Sequence, residues 1–246
     1  KAGIIVPGVP VIYDGNDKDA AEVIAAKAKE LGSPAYKVIQ AGAKVLGNNK
    51  DGIDFSLEDD YYGDTRFHIP FIAWYQVMNA SLALTTMEVL KDRIPVTMEQ
   101  LQAGIANTRW QGRMETILPG VIVDGAHNED GVRRFVETAE RFQKEYPLTL
   151  LFSAVNDKDY QDMIHTICSR IKFRKVVTTE VGGYREVPSA ELAEIFCKEG
   201  CKDVGNSDNI EEAFHMAHEA KGEDGMLFCV GSLYLVGEIK TLLLKK

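Results

Sequence analysis

The chain has 246 residues and a formal net charge of −9 at pH 7, with 45% hydrophobic and 26% charged residues. This composition is typical of a globular protein with one large or two modest domains, and the negative charge argues against nucleic acid as a main partner. No apolar run approaches the roughly 18 residues of a membrane-spanning helix, and 4 cysteines are too few for a disulfide framework. We therefore expect no membrane partner and a location in the reducing cytoplasm.

The first part of the chain mixes strand and helix patterns. We predict strands at residues 9–13, 36–39 and 67–70, and helices at 17–31, 73–90 and 97–106. Thr97 followed by Gln100 is a capping-box pattern at the start of the last of these helices. The polar, turn-rich segment 42–63 is expected to contain loops and short strands, and residues 107–112 a linker.

The remainder of the chain alternates regularly between strand and helix patterns. The predicted strands are residues 120–123, 148–154, 175–180, a short one near 203, and 226–230. The predicted helices are residues 130–146, 160–171, 189–198, 210–220 and a last one from about 233 onward. Repetition of this kind predicts an α/β fold with a Rossmann-like, mostly parallel sheet and helices on both faces.

The most informative segment is the strand-to-helix turn Asp-Gly-Ala-His-Asn at residues 124–128. It places the carboxylate of Asp124, the imidazole of His127 and the amide of Asn128 directly after a buried strand. Ligands of open α/β sheets bind at the carboxyl ends of the strands, so these side chains are candidates for a binding site. The alternative is a structural turn in which Asn128 caps the next helix and His127 is incidental.

Three further polar side chains are candidates for the same site. Arg113 follows Gly112 in the linker, and a guanidinium there can bind a phosphate or carboxylate through two hydrogen bonds. Lys158 and Ser232 each follow a predicted strand. The alternatives are a solvated linker arginine, an acidic helix start around Lys158 and an ordinary helix cap at Ser232.

Two other kinds of site are not favoured by the sequence. A zinc site would have to use Cys197, Cys201, His215 and His218. The Cys-x3-Cys spacing departs from the usual Cys-x2-Cys, so structural roles are the better interpretation. The phosphate-binding pattern G-x-x-x-x-G-K-[ST] does not occur in the 246 residues, so the chain by itself is not a complete P-loop enzyme.

Six motifs in order resemble those of the folylpolyglutamate synthase / dihydrofolate synthase family of the Mur ligase superfamily. They are KAGII-x-PG-x-P at the start, YQ-x-x-NA-x-LAL at 75–84, W-x-GR-x-E at 110–115, DGAHN at 124–128, DKD at 157–159 and GSLYLVGEI at 231–239. The resemblance implies that residues 1–108 are a fragment of the central ATP-binding domain, of Mur-ligase-type α/β fold. Residues 109–246 then form the C-terminal glutamate ligase domain.

The resemblance also implies a reaction and its cofactors. ATP phosphorylates a carboxylate of folate or dihydropteroate, the amine of L-glutamate attacks the acyl phosphate, and ADP and phosphate leave. Mg²⁺ is expected to assist, held in part by Lys1, which matches a lysine that is carbamylated in the family and then behaves as a carboxylate. Such chemistry depends mainly on positioning and on neutralising phosphate charge.

The site residues follow from the same resemblance. Asn79, Arg113 and Asp124 match positions that contact ATP, whereas His127 and Ser232 match positions on the amino-acid side of the cleft. We assign catalytic roles to His127 and Lys158.

The resemblance leaves two other functions open. The first alternative is a Mur-type ligase that acts on a UDP-sugar-peptide. The second is a non-catalytic nucleotide- or folate-binding remnant. We expect a monomer, and we expect residues 1–246 alone to be inactive or very weak, because the family's P-loop lies upstream of Lys1.

Overall fold

The computed structural model describes residues 2–49, 51–183 and 185–244. The chain divides into two units, Lys1–Arg109 and Trp110–Lys246, and each has its own hydrophobic core. Within the described residues, no helix is long and apolar enough to cross a membrane.

The first unit begins with two parallel strands, β1 (Val11–Asp14) and β2 (Ala35–Val38), joined by the helix α1 (Lys18–Glu30). An antiparallel three-stranded sheet follows, formed by β3 (Ala43–Asn49), β4 (Gly52–Leu57) and β5 (Phe67–Ile69). The helices α2 (Tyr75–Val89) and α3 (Met98–Ala106) complete the unit. The turn-rich segment 42–63 therefore contains two paired strands of 7 and 6 residues, longer than the sequence predicted.

The core of the first unit lies between the antiparallel sheet and its two helices. Phe55 and Phe67 of the sheet pack with their ring centroids 5.7 Å apart, and Leu84 of α2 and Leu101 of α3 are buried in the same cluster. The capping box predicted at Thr97 is present at the start of α3, where the side chains of Thr97 and Gln100 each accept a hydrogen bond from the other residue's backbone N–H. This cap stabilises the first turn, whose N–H groups lack partners within the helix.

The second unit contains a six-stranded sheet with the order β10-β9-β8-β11-β7-β6. Its strands are β6 (Glu115–Leu118), β7 (Val121–Asp124), β8 (Leu148–Phe152), β9 (Phe173–Thr178), β10 (Val204–Asn206) and β11 (Met226–Val230). Its helices are α4 (Glu129–Phe142), α5 (Tyr160–Arg170), α6 (Ser189–Lys198), α7 (Ile210–Lys221) and α8 (Leu233–Leu244). All pairs are parallel except β6 with β7, so the α/β fold with a mostly parallel sheet is confirmed.

Burial on both faces explains the continuous apolar runs of the central strands. Every residue of β7, β8 and β11 is buried, as expected for parallel strands covered by helices on both sides. The chain moves across the sheet in one direction from β7 to β10 and then returns to β11. With right-handed crossovers, α4, α5 and α6 therefore lie on one face and α7 on the other. The last helix, α8, packs in the same hydrophobic cluster as α7.

The strand order determines where the polar loops meet. β11 pairs with β7 on one side and with β8 on the other, and all three strands are parallel. The loops that follow these strands, at residues 125–128, 153–159 and 231–232, therefore lie side by side at the carboxyl edge of the sheet, the edge at which open α/β sheets bind ligands.

Candidate functional site

Asp124 ends β7 and is 4% exposed. Both carboxylate oxygens accept backbone hydrogen bonds: Oδ2 from the N–H of Met114 and Oδ1 from the N–H of Ala126, each at 2.8 Å. Burial raises the pKa of Asp124 to about 6, although these two N–H donors and the nearby Arg113 and His127 act to lower it. The first role of this carboxylate is therefore to hold the turn 124–128 against the segment that precedes β6.

That preceding segment is folded back tightly at residues 112–115. Met114 is buried and has a φ of +46°, in the left-handed region that non-glycine residues seldom adopt. The N–H of Gly125 donates to the carbonyl of Gly112 at 2.8 Å, and the N–H of Gly112 donates to Glu115 Oε2 at 2.8 Å. Because its neighbours on both sides are fixed, Arg113 projects from a rigid backbone next to Asp124.

Glu115 is a residue whose role the sequence did not reveal beyond its place in a motif. Its carboxylate accepts from the Gly112 N–H and also pairs with Lys240 of α8, with Nζ–Oε1 and Nζ–Oε2 distances of 2.7 and 3.0 Å. Glu115 thus ties the segment that carries Arg113 to the last helix of the unit.

The imidazole of His127 is oriented by its own turn. Nδ1 lies 2.7 Å from the carbonyl oxygen of Gly125. A carbonyl only accepts hydrogen bonds, so Nδ1 carries the hydrogen, and in the neutral imidazole Nε2 carries the lone pair. The ring is half-buried, whereas Asn128 is exposed and caps α4 by accepting from the N–H of Gly131 at 2.9 Å. The structural interpretation of Asn128 is therefore confirmed.

Ser232 is 1% exposed, and its hydroxyl oxygen accepts from the N–H of Tyr234 at 3.1 Å, so it caps α8. The preceding Gly231 has a φ of +111°, and a Cβ there would collide with the carbonyl oxygen of Ser153. The loop after β11 is thus packed directly on the end of β8. Its backbone brings Ser232 close to the loop that carries Lys158.

Lys158 belongs to a charged cluster that joins three loops. Its Nζ lies 4.0 Å from Asp157 Oδ2, and the guanidinium of Arg185 lies 3.2 Å from the same oxygen. Arg185 also donates to the hydroxyl of Tyr234 at 2.9 Å. Asp157 and Lys158 follow β8, Arg185 follows β9, and Tyr234 follows β11. Two cations therefore share one carboxylate at the carboxyl edge of the sheet. Sequence reasoning missed Arg185, since its loop carried no recognised motif.

Comparisons with known proteins identify the unit that contains this edge. Residues 112–233 match the family described as Mur ligase, glutamate ligase domain. The second unit therefore carries a Mur ligase glutamate ligase domain. The resemblance found in the sequence is confirmed, because similarity to folylpolyglutamate and dihydrofolate synthases continues through the rest of the chain.

The similar proteins are longer than this chain. The dihydrofolate synthase/folylpolyglutamate synthase of Bacillus subtilis is 29% identical over 253 residues, covering 98% of this chain and 56% of that protein. The folylpolyglutamate synthase of Lacticaseibacillus casei is 29% identical, with 99% and 56% covered. The crystal structure of folylpolyglutamate synthase from Thermotoga maritima superposes with a TM-score of 0.81 at 25% identity, covering 99% of this chain and 56% of that one. The chain thus spans little more than half the length of the relatives that it matches.

The other predicted site residues lie in the first unit. Asn79 is an exposed residue of α2, and its Nδ2 donates to Gln76 Oε1 at 2.8 Å. Lys1, the predicted metal-binding residue, lies outside the described residues. The assignment of the first unit as a fragment of a central ATP-binding domain, and every site role given above, stay predictions.

The described residues do not by themselves form a metal centre. Across residues 2–49, 51–183 and 185–244, no group of three or more His, Cys, Asp or Glu side chains is arranged to hold a metal ion. At the edge of the glutamate ligase domain, each oxygen of Asp124 accepts one backbone N–H, and Oδ2 of Asp157 lies 4.0 Å from Lys158 and 3.2 Å from Arg185. The chemistry available there is anion binding by Arg113, Lys158 and Arg185, and proton acceptance by His127.

Proposed function

We propose that the chain is part of an ATP-dependent ligase that joins L-glutamate to folate or dihydropteroate through an acyl phosphate. The observation that carries this proposal is the turn at residues 124–128, which places an oriented histidine at the carboxyl edge of a glutamate ligase domain. The similarity of the entire chain to a dihydrofolate synthase/folylpolyglutamate synthase supports the folate class of acceptor over a UDP-sugar-peptide.

On the nucleotide side, we assign Arg113 to a phosphate of ATP. Its guanidinium offers paired N–H donors, and the rigid backbone around Met114 limits the reorganisation needed when phosphate charge develops. Asp124 supports Arg113 by fixing that backbone, and a ribose hydroxyl would have to share oxygens that already accept two N–H groups. Asn79 is assigned to the same ligand by resemblance to the family.

The family resemblance also implies Mg²⁺, bound in part by carbamylated Lys1. The described residues do not offer a set of ligands for it, so no step of the reaction is assigned to the metal. Within this chain, neutralisation of phosphate charge is assigned to Arg113.

On the amino-acid side, His127 and Lys158 have complementary chemistry. The amine of glutamate attacks only when it has lost a proton, and Nε2 of the neutral His127 has the lone pair to accept one. Lys158 is partly exposed and shares Asp157 with Arg185, so an incoming carboxylate can replace part of that interaction. Ser232 is assigned to the amino acid as well, through the loop that it caps.

The test is ATP-dependent incorporation of labelled L-glutamate by a protein that contains this whole chain. Dihydropteroate, folate and a UDP-sugar-peptide are offered separately, and ¹⁸O is placed in the acceptor carboxylate. We expect incorporation with a folate-type acceptor and transfer of one ¹⁸O to inorganic phosphate. In an acyl phosphate, a carboxylate oxygen bridges carbon and phosphorus, and it leaves with the phosphate when the amine attacks the carbonyl carbon. Incorporation only into the UDP-sugar-peptide supports the Mur-type alternative, and no incorporation with any acceptor supports the non-catalytic one.

We infer also that the protein acts as a monomer in the cytoplasm. Sedimentation equilibrium at micromolar concentration tests the first part of this inference, and fractionation of cells that produce the protein tests the second.

A further inference from the structure

Two cysteines of the glutamate ligase domain approach each other on one side of the sheet. Cys168 lies in the last turn of α5, and Cys201 lies three residues after the end of α6. Their Sγ atoms are 3.6 Å apart, although 33 residues separate them in the sequence. Both residues are of intermediate exposure, so a small reagent in solution can reach the pair.

The two helices hold this pair in place at both ends. The hydroxyl of Tyr160, at the start of α5, donates to Glu191 Oε1 of α6 at 2.7 Å. His165 Nδ1 lies 2.9 Å from Glu199 Oε2 near the cysteines, and the N–H of Cys201 donates to the carbonyl of Phe196 at 3.0 Å. The sulfur atoms are therefore neighbours because the helix pair is fixed, and the approach does not depend on a mobile loop.

We propose that Cys168 and Cys201 are a thiol modification site that forms a reversible disulfide with a low-molecular-weight disulfide, of the glutathione disulfide class, as oxidant. A bonded pair of sulfurs is about 2.05 Å apart, so the two Sγ atoms must approach by about 1.5 Å to form the bond. The described residues add no third metal-binding side chain to the pair.

The reaction has two exchange steps. The thiolate of Cys201 attacks one sulfur of the small disulfide, the S–S bond of the reagent breaks, and one small thiol leaves with a proton. Cys168 then loses its proton and attacks the Cys201 sulfur of the mixed disulfide, releasing the second small thiol. The protein loses two electrons and two protons, and the reagent becomes two thiols.

The hydrogen bond between the sulfurs favours this order of events. The hydrogen bond between Cys168 and Cys201 lowers the pKa of Cys201 and raises the pKa of Cys168, because it stabilises a thiolate on Cys201. Cys201 therefore reacts first, and Cys168 acts as the resolving thiol.

Cys197 gives this proposal an internal control. It is exposed, and it lies only four residues before Cys201. In an unfolded chain, loop closure favours the nearer partner, so Cys197–Cys201 pairing should exceed Cys168–Cys201 pairing. In the folded chain the fixed helix pair reverses that preference.

The experiment treats the 246-residue chain with glutathione disulfide, traps free thiols in acid and maps the products after trypsin. The four cysteines fall on four different tryptic peptides, residues 159–170, 186–198, 199–202 and 222–240. We expect the folded protein to give mainly the 159–170/199–202 link, removed by dithiothreitol. We expect protein oxidised in concentrated urea to give mainly the 186–198/199–202 link.

Two variants complete the test. Cys197→Ser should keep the 159–170/199–202 link, whereas Cys168→Ser should retain a glutathione adduct on peptide 199–202, because the thiol that lies next to Cys201 in the folded chain is gone. A dominant 186–198/199–202 link in the folded wild-type protein overturns the proposal. So does a stable adduct on Cys201 in the wild type without any link to Cys168. Both results come from the wild-type chain, so they do not depend on the folding of a variant.

Discussion

The most direct test of the site is the pH dependence of its buried carboxylate. Burial raises the pKa of Asp124 to about 6 in the folded chain, from an ordinary value of 3.8. A carboxyl group whose pKa is raised by folding contributes stability that is fully present below pH 3.8 and is lost as the pH rises through 6. Two pKa units correspond to about 3 kcal/mol of unfolding free energy, at about 1.4 kcal/mol per unit.

The perturbation is Asp124→Asn, which removes this titration. In the variant, one oxygen still accepts a backbone N–H, but an NH₂ group faces the second backbone N–H. This change lowers the free energy of unfolding by about 1–3 kcal/mol at every pH. The difference in stability between wild type and variant should therefore favour the wild type most at low pH. It should shrink by about 3 kcal/mol between about pH 3.5 and pH 7.

The assay must report on the glutamate ligase domain alone. Cys229 of β11 is fully buried and is a free thiol on its own tryptic peptide, residues 222–240. An aromatic disulfide reacts with thiols even in acid. The extent to which it labels Cys229 at each urea concentration therefore measures how much of the core has opened. Both proteins are titrated with urea at each pH, and the difference cancels the other titrating groups. A difference that stays flat, or that grows in favour of the wild type as pH rises, would refute the claim that desolvation outweighs the two N–H donors.

Three further substitutions test the turns of the site. Gly231→Ala should cost more than about 2 kcal/mol of unfolding free energy, since its φ is +111° and a Cβ would collide with a backbone oxygen. Gly125→Ala should cost less, because the atoms that its Cβ would meet first belong to an exposed leucine side chain that can move; equal losses in urea titration would argue against the packing of the loop after β11 on the end of β8. Asn128→Ala should cost about 1 kcal/mol through the lost cap of α4, measured in the same titration, and an unchanged midpoint would deny the cap any role. His127→Gln should lower glutamate incorporation at least about 100-fold with little loss of stability, whereas the exposed His215→Gln should not; an active His127→Gln would exclude the proton-acceptor role.

Much of the fold could be predicted because the sequence pattern and the tertiary environment agree. α4 has apolar residues at helical spacing that are buried in the structure, and the uninterrupted apolar residues of β7 and β11 match strands covered on both faces. Two of the strands that escaped recognition lack such agreement. β6 has four residues with no fully buried side chain, and a register shift at Val45/Gly47 interrupts the alternation of β3.

The place of the candidate site in the fold was predictable, and its contacts were less so. The turn 124–128 could be placed at the carboxyl edge of a sheet because it follows an apolar strand directly. The partners of Asp124 could not be read from the sequence, since one of them is an N–H of Met114, whose left-handed backbone has no sequence signature. Arg185 escaped notice for a related reason, because its ion pair with Asp157 spans 28 residues.

The position of β11 has a consequence for how the glutamate ligase domain is made. β11 lies between β7 and β8 in the sheet, yet it follows the sheet's other five strands in the chain and is synthesised after them. Until residues 226–230 leave the ribosome, β6–β7 and β8–β9–β10 are separate pieces, each with an open edge that can pair with other chains. The six-stranded sheet therefore cannot form until most of the domain has been translated. A chain that ends shortly before residue 226 leaves the edges of β7 and β8 unpaired. Premature termination is therefore a route to aggregation for this protein.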